Sequence, residues 1–169
     1  MFALAIGASA VTVDDALEAA LFAGFRSVAK ELALGIVRGG EGATKLVSIT
    51  ATGADTDADA WTAARAIANS LLVKTAIHGA DPNWGRLVAA AGRSGARFVL
   101  DGARVRVGDL VLFEGGRPFD ERAPQAAAYL QGTDLAIEVD LGAGGPHTAT
   151  VWTCDLSKMY VQINAEYRT

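Results

Sequence analysis

Leu17, Leu21, Phe25, Val28, Leu32 and Ile36 recur at helical spacing, and the pattern stops at Gly39-Gly40. That stripe predicts a long helix with one buried face, and burying it requires a second layer. Thr12-Val13-Asp14-Asp15 resembles a capping box with Asp in place of Glu and opens the helix. The glycine pair ends it. Residues 45–52 then alternate and are rich in Val, Ile and Thr, which reads as a strand. A chain that switches from helical to strand period this abruptly is expected to lay helices on a sheet.

The remaining punctuation supports that architecture. Residues 2–6 read as a short strand. Residues 56–69 form a second helix with Trp61, Ala64 and Ile67 or Ala68 inward. Residues 71–78 fit strand or helix, and helix is favoured. Asp81-Pro82 is expected to open a third helix through Ala91, because proline fits a first turn. Residues 97–100, 105–107 and 110–114 read as short strands, parted by Asp101-Gly102 and Gly108-Asp109, both hairpin signals. Residues 124–131 read as a helix. Residues 135–141 and 148–154 are expected to pair as strands around a glycine-rich turn. Residues 157–165 form a final helix, N-capped near Asp155 or Ser157. Helices mixed with hairpins predict an α+β or mixed α/β fold, with helices packed on a mixed sheet rather than regular βαβ winding. The 169 residues suit a single domain, 1–169, with a real core.

Composition narrows the function classes. Hydrophobic residues make up 51% and mean hydropathy is +0.25, which excludes a disordered chain. A net charge of −4 with no basic run argues against nucleic acid or an anionic membrane as partner. No apolar run approaches the roughly 20 residues of a membrane helix. Cys154 is the lone cysteine, so no disulfide framework exists, and a reducing, cytoplasmic setting is expected. The apolar opening Met1-Phe2-Ala3-Leu4-Ala5-Ile6 lacks a basic leader and reads as a strand, not a signal peptide.

Few segments carry chemistry on residue type alone. Gly39-Gly40-Glu41-Gly42-Ala43-Thr44-Lys45 is not a phosphate loop, because Thr44 precedes Lys45 and a strand follows. Its glycines let the backbone turn sharply and present the Glu41 carboxylate to an ammonium group; the plainer reading is a solvated Glu in a glycine cap. Asp81-Pro82-Asn83-Trp84-Gly85-Arg86 reads as a structural corner, with Asp81 as a cap, Asn83 tying the turn and Trp84 over Arg86. His78 reads as structural, His147 as solvated and Cys154 as buried and inert. Two separate histidines make no metal site. The tail carries Val161, Ile163 and Tyr167, too apolar for a frayed end. It is expected to dock through Tyr160, Ile163 and Tyr167, bringing Asn164 and Thr169 to the Glu41 loop.

The Glu41–Lys45 loop, residues 72–86, Thr153-Cys154-Asp155-Leu156 and residues 160–169 together resemble a known family, in order and across nearly the whole chain. It is the ornithine acetyltransferase family, the self-cleaving glutamate N-acetyltransferases of arginine biosynthesis, and the likeness is to the C-terminal part of the β chain. The resemblance implies the β-chain part of that fold and acetyl transfer from N-acetylornithine to glutamate. It implies no cofactor, with acetyl-CoA as a co-substrate in some members. It also implies a precursor that cleaves itself before a Thr, which becomes the N-terminal nucleophile with its own α-amino group as base. Two α-chain residues form the oxyanion hole. By the family pattern Glu41, Asn164 and Thr169 bind substrate, Glu41 facing an ammonium and Asn164 and Thr169 serving carboxylate or amide groups. The Ala-Thr-Met-Leu cleavage segment and the Ser-Thr-Asn-Asp segment after it are absent from this sequence, so no Thr here is assigned as nucleophile. The expectation is a chain inactive alone, carrying part of a substrate site for N-acetylornithine, ornithine and glutamate. Its partners would be the α chain and N-terminal β-chain segments, in an oligomer. The opening strand of Phe2, Leu4 and Ile6 would present an apolar edge to them. The alternative is a non-catalytic amino-acid-binding or scaffold domain derived from that fold.

Overall fold

The computed structural model describes residues 13–166. The strand expected at residues 2–6, Thr12, Tyr167 and Thr169 lie outside them. The chain divides into two compact units between Ile36 and Val37.

The first unit contains most of α1 (Asp15–Arg38), whose end belongs to the second. Asp14 holds its start, Oδ1 accepting from Leu17 N at 2.8 Å. The long helix forms as the spacing predicts, but the expected buried face does not: α1 buries none of its residues. Phe25 is 47% exposed and Ile36 77%. Burial needs a matching surface as well as a pattern, and α1 shows only the pattern.

The second unit is a six-stranded mixed sheet. In chain order its elements are β1 (Leu46–Ala54), α2 (Asp57–Ala68), α3 (Leu71–His78), α4 (Trp84–Gly92), β2 (Arg104–Val107), β3 (Leu110–Glu114), β4 (Arg117–Pro118), α5 (Ala123–Tyr129), β5 (Asp134–Asp140), β6 (His147–Cys154) and α6 (Lys158–Glu166). The strand order is β4-β3-β2-β5-β1-β6, with β1 and β5 parallel and the other pairs antiparallel. Helices on a mixed sheet are the expected α+β class. β5 and β6, however, do not pair with each other. β1 lies between them, and the glycine-rich connection crosses its end, where Gly145 N donates to Gly53 O at 3.3 Å. A Cβ at Gly145 would strike Ala54 O, so only glycine makes that crossing.

Alternate positions of the strands supply the core. Val47, Ile49 and Ala51 of β1, Ile137 and Val139 of β5, and Val105 and Val107 of β2 are all buried. α2 packs on β1 and β6 through Ala60, Ala63, Ala64, Ile67 and Ala68. An alanine stripe lets the helix lie close to the sheet. That stripe displaces Trp61 to the solvent side, 52% exposed, against the inward position expected of it. Fully buried Ile67 contributes about 1.5–3 kcal/mol of burial.

Other local features also differ. α4 begins at Trp84, not Pro82, because Asn83 is its cap: Oδ1 accepts from Arg86 N at 3.1 Å. Residues 97–100 are not a strand; Val99 N donates to Leu141 O at 2.8 Å, and Leu100–Gly102 close a 3-10 turn. Asp101-Gly102 therefore turns the chain without making a hairpin. Gly108-Asp109 does join β2 to β3 as a hairpin. A second hairpin, unread in the sequence, joins β3 to β4 through Gly115 and Gly116, with φ of 57° and 77°. Among the described residues no helix is long and apolar enough to cross a membrane.

Candidate functional site

The loop between α1 and β1 turns tightly, with Gly40 N donating to Val37 O at 3.2 Å and Ala43 N to Gly40 O at 3.0 Å. Gly42 has φ +66°, and a Cβ there would sit 2.6 Å from Tyr160 N and 2.9 Å from Ser157 Oγ. Glycine is thus required both for the backbone conformation and for the approach of α6. Ser157 Oγ donates to Gly42 O at 2.6 Å and accepts from Tyr160 N at 3.3 Å. One hydroxyl therefore caps the last helix, as the sequence suggests, and ties it to the loop.

This contact brings two of the anticipated site residues together. Asn164 Nδ2 donates to Glu41 Oε2 at 2.8 Å and to Tyr160 O at 2.9 Å. Both side chains are exposed. Thr169 lies outside the described residues. The expected apolar docking of the tail is not what holds α6. It buries none of its residues, and Tyr160 and Ile163 remain 44% and 37% exposed. Hydrogen bonds from Ser157 and Asn164 tie it to the loop.

Below the loop lies a buried carboxylate. Asp155 Oδ1 accepts from Thr44 N at 2.8 Å and Lys45 N at 2.9 Å. Its Oδ2 accepts from Thr44 Oγ1 at 2.6 Å and His78 Nδ1 at 2.7 Å. Burial alone would raise the Asp155 pKa. The bonds from Thr44, His78 and Lys45 outweigh it and hold the carboxyl below the ordinary carboxylate value. His78 donates Nδ1–H into this cluster. Lys45 sends its ammonium to the carbonyls of Ile77 at 2.7 Å and Leu130 at 2.6 Å. It satisfies the C-terminal ends of α3 and α5 where a cation is favoured. Burial pushes the Lys45 pKa down, and Asp155 partly offsets that. Beside the loop a cavity of about 270 Å³ opens between Thr44, Lys45 and the Arg38–Asp134 ion pair, 2.8 Å long.

Asp155 and Lys45 are the two site residues that motif reading passes over. Asp155 registers only as one of two possible caps, and Lys45 only as a failed phosphate-loop lysine. The helical corner at 81–86 is structural, but Trp84 stacks on Phe113 at 4.9 Å rather than on Arg86. Arg86 instead donates to Leu72 O at 2.9 Å. His147 begins β6 and is partly exposed, with Nδ1 2.8 Å from Asp57 Oδ1. Cys154 is half-buried rather than buried, with Lys74 Nζ 3.8 Å from its sulfur. Among the described residues no three His, Cys, Asp or Glu side chains converge to hold a metal ion.

Residues 1–169 match the ArgJ family along their whole length. The chain is 50% identical over 166 residues to the arginine biosynthesis bifunctional protein ArgJ of Ruegeria pomeroyi, covering 98% of this chain and 40% of that protein. It is 46% identical over 185 residues to the ArgJ protein of a Synechococcus strain, covering 100% of this chain and 43% of that protein. The fold is similar to the crystal structure of the ArgJ protein of Bacillus halodurans, with a TM-score of 0.87 and 38% identity, covering 93% of this chain and 74% of that one. The chain thus spans only 40% to 43% of the length of these two curated relatives.

Proposed function

The chain belongs to the ArgJ family, and from that premise we propose that it supplies the ammonium-recognising part of an ornithine acetyltransferase site in arginine biosynthesis. The complete enzyme moves acetyl from N-acetylornithine to glutamate. The observation that carries this reading is the 2.8 Å bond from Asn164 Nδ2 to Glu41 Oε2. Both protons of the Asn164 amide are committed, to Glu41 and to Tyr160 O. What Asn164 has left is its carbonyl oxygen, an acceptor. Glu41 is also acceptor-only when ionised. Two neighbouring acceptor groups, one charged, suit the N–H groups of an amino-acid ammonium, and the charged one repels a carboxylate. Asn164 is therefore assigned to an N–H group, which narrows the pair of roles the resemblance allowed. Thr169 completes the site in this reading.

The covalent step belongs to segments outside these 169 residues, the α chain and the N-terminal part of the β chain, with which this chain assembles. The lone Cys154 suits a reducing cytoplasm. Calorimetric titration of the chain with ornithine tests the site. Saturable binding is expected, weakened about 10- to 100-fold by Glu41→Gln, as loss of a charge-assisted bond implies. Absence of binding, or equal binding by Glu41→Gln, would overturn it. Incubation of the chain alone with N-acetylornithine and glutamate is expected to give no turnover above a Glu41→Ala control. Turnover would place the nucleophile within this sequence.

A further inference from the structure

We propose that Asp155 is the positioning residue of this site: it sets the loop that carries Glu41 against the helix that carries Asn164. The inference rests on the substrate site proposed above and adds a residue that touches no substrate.

Two connections start from the short stretch between β6 and α6. At its first residue, Asp155 takes the backbone N–H groups of Thr44 and Lys45 and the Thr44 hydroxyl. At its third, Ser157 takes the carbonyl of Gly42 and caps α6. Between them, Leu156 N donates to Lys74 O at 3.3 Å. Residues 42, 44 and 45 are thus fixed to one rigid stretch, and Glu41 is the side chain this leaves projecting beside α6. Asp155 is itself held from a third direction by His78 Nδ1, and its side chain is 0% exposed. A carboxylate with that many bonds has little freedom to swing. A one-residue slip of the loop would break the Thr44 and Lys45 bonds together. It would also carry Glu41 away from Asn164.

The chemistry of the donors defines a rescue. Thr44 N and Lys45 N must donate, and both meet Oδ1. Thr44 Oγ1 and His78 Nδ1 meet Oδ2, and either can instead accept a proton. An asparagine at 155 therefore keeps the loop in place, its Nδ2 turned to the hydroxyl and the imidazole. An alanine leaves two loop N–H groups without an acceptor.

The test is a double-mutant cycle read by ornithine titration, with side-chain amide NMR of Asn164 as a second readout. Asp155→Ala is expected to weaken ornithine binding at least about tenfold, and Asp155→Asn by less than about threefold. In a Glu41→Gln background Asp155→Ala is expected to add little, because the two residues act as a unit. A role confined to stability predicts equal losses in both backgrounds, and that result would overturn the proposal. In the ligand-free chain the Asn164 amide resonances of Asp155→Ala are expected to shift toward those of Glu41→Ala. Unmoved resonances in a folded Asp155→Ala chain would overturn it. If that variant does not fold, Thr44→Val removes the hydroxyl bond to Asp155 alone and leaves both loop N–H bonds, so its Asn164 amide resonances are expected to shift part of the way toward those of Glu41→Ala, and unmoved resonances would overturn the proposal. Should the unmodified chain fail to bind ornithine, the substrate reading falls, and the amide resonances still decide the positioning role.

Discussion

Replacing Gly42 by alanine isolates the contact on which the site depends. The first cost is conformational: φ of +66° at a residue with a Cβ costs about 1–2 kcal/mol. The second is steric. The new methyl would lie 2.6 Å from Tyr160 N and 3.0 Å from Met159 C, both backbone atoms that no rotamer change can move. The start of α6 must retreat by roughly 1 Å to reach ordinary van der Waals separation. That retreat stretches the Ser157–Gly42 bond beyond useful length, at about 0.5–1.5 kcal/mol. Together the losses come to about 2.5 kcal/mol. Gly144 provides the control, with φ of +79° and open space within 4 Å of where a methyl would stand, so Gly144→Ala carries the conformational cost alone. For a chain of this size each kcal/mol lowers the melting temperature by roughly 2–4 °C. Circular-dichroism melts should thus place Gly42→Ala about 5–10 °C below the parent and Gly144→Ala about 3–6 °C below it. Equal melting temperatures for the two variants would refute the close approach of loop and helix, and with it the account of how Glu41 meets Asn164.

The Asp155 carboxyl is held below its unfolded value of about 3.9, so it contributes stability that is present above that pH and lost as pH falls through the lower folded value. Urea midpoints measured from about pH 6 to about pH 3 should therefore drop less steeply for Asp155→Asn than for the parent below about pH 4; parallel curves would contradict the cluster as described. Ile67→Ala should cost about 2–5 kcal/mol, because it opens a cavity beneath α2. Trp61→Ala on the exposed flank of the same helix should cost under about 1 kcal/mol, and denaturant titration showing the reverse order would mean the helix presents its other face.

What is legible in the sequence is local. Ser157 stands at a helix start, Gly108-Asp109 turns a hairpin, and residues 46–54 alternate between core and surface over most of their length. These signals operate within a few residues of themselves. Proximity in sequence suggests that β5 and β6 form a hairpin, whereas β1, far upstream, fills the gap between them. The size of Trp61 suggests an inward position, but the alanines at 60, 63 and 64 are what fit closely against the sheet. The site divides in the same way. Glu41 and Asn164 stand out by resemblance, and nothing in their spacing shows that they touch. Asp155 and Lys45 draw their roles from partners more than thirty residues away, at Ile77, Leu130 and Thr44. No periodicity encodes such contacts.

The position of β1 also governs the order of events during synthesis. It is the first strand of the sheet to leave the ribosome among the described residues, yet its two neighbours, β5 and β6, are the last two. Val47, Ile49 and Ala51 must therefore wait, bare or covered only by α2, while more than half the chain is made. Non-local pairing of this kind is slow, and an unpaired apolar strand is open to the wrong partner in the interval. The hairpins of β2, β3 and β4 need no such delay. Nascent chains halted before β5 should be the ones that aggregate, and the halves of the sheet mature in opposite order to their exit: the flank early, the centre last.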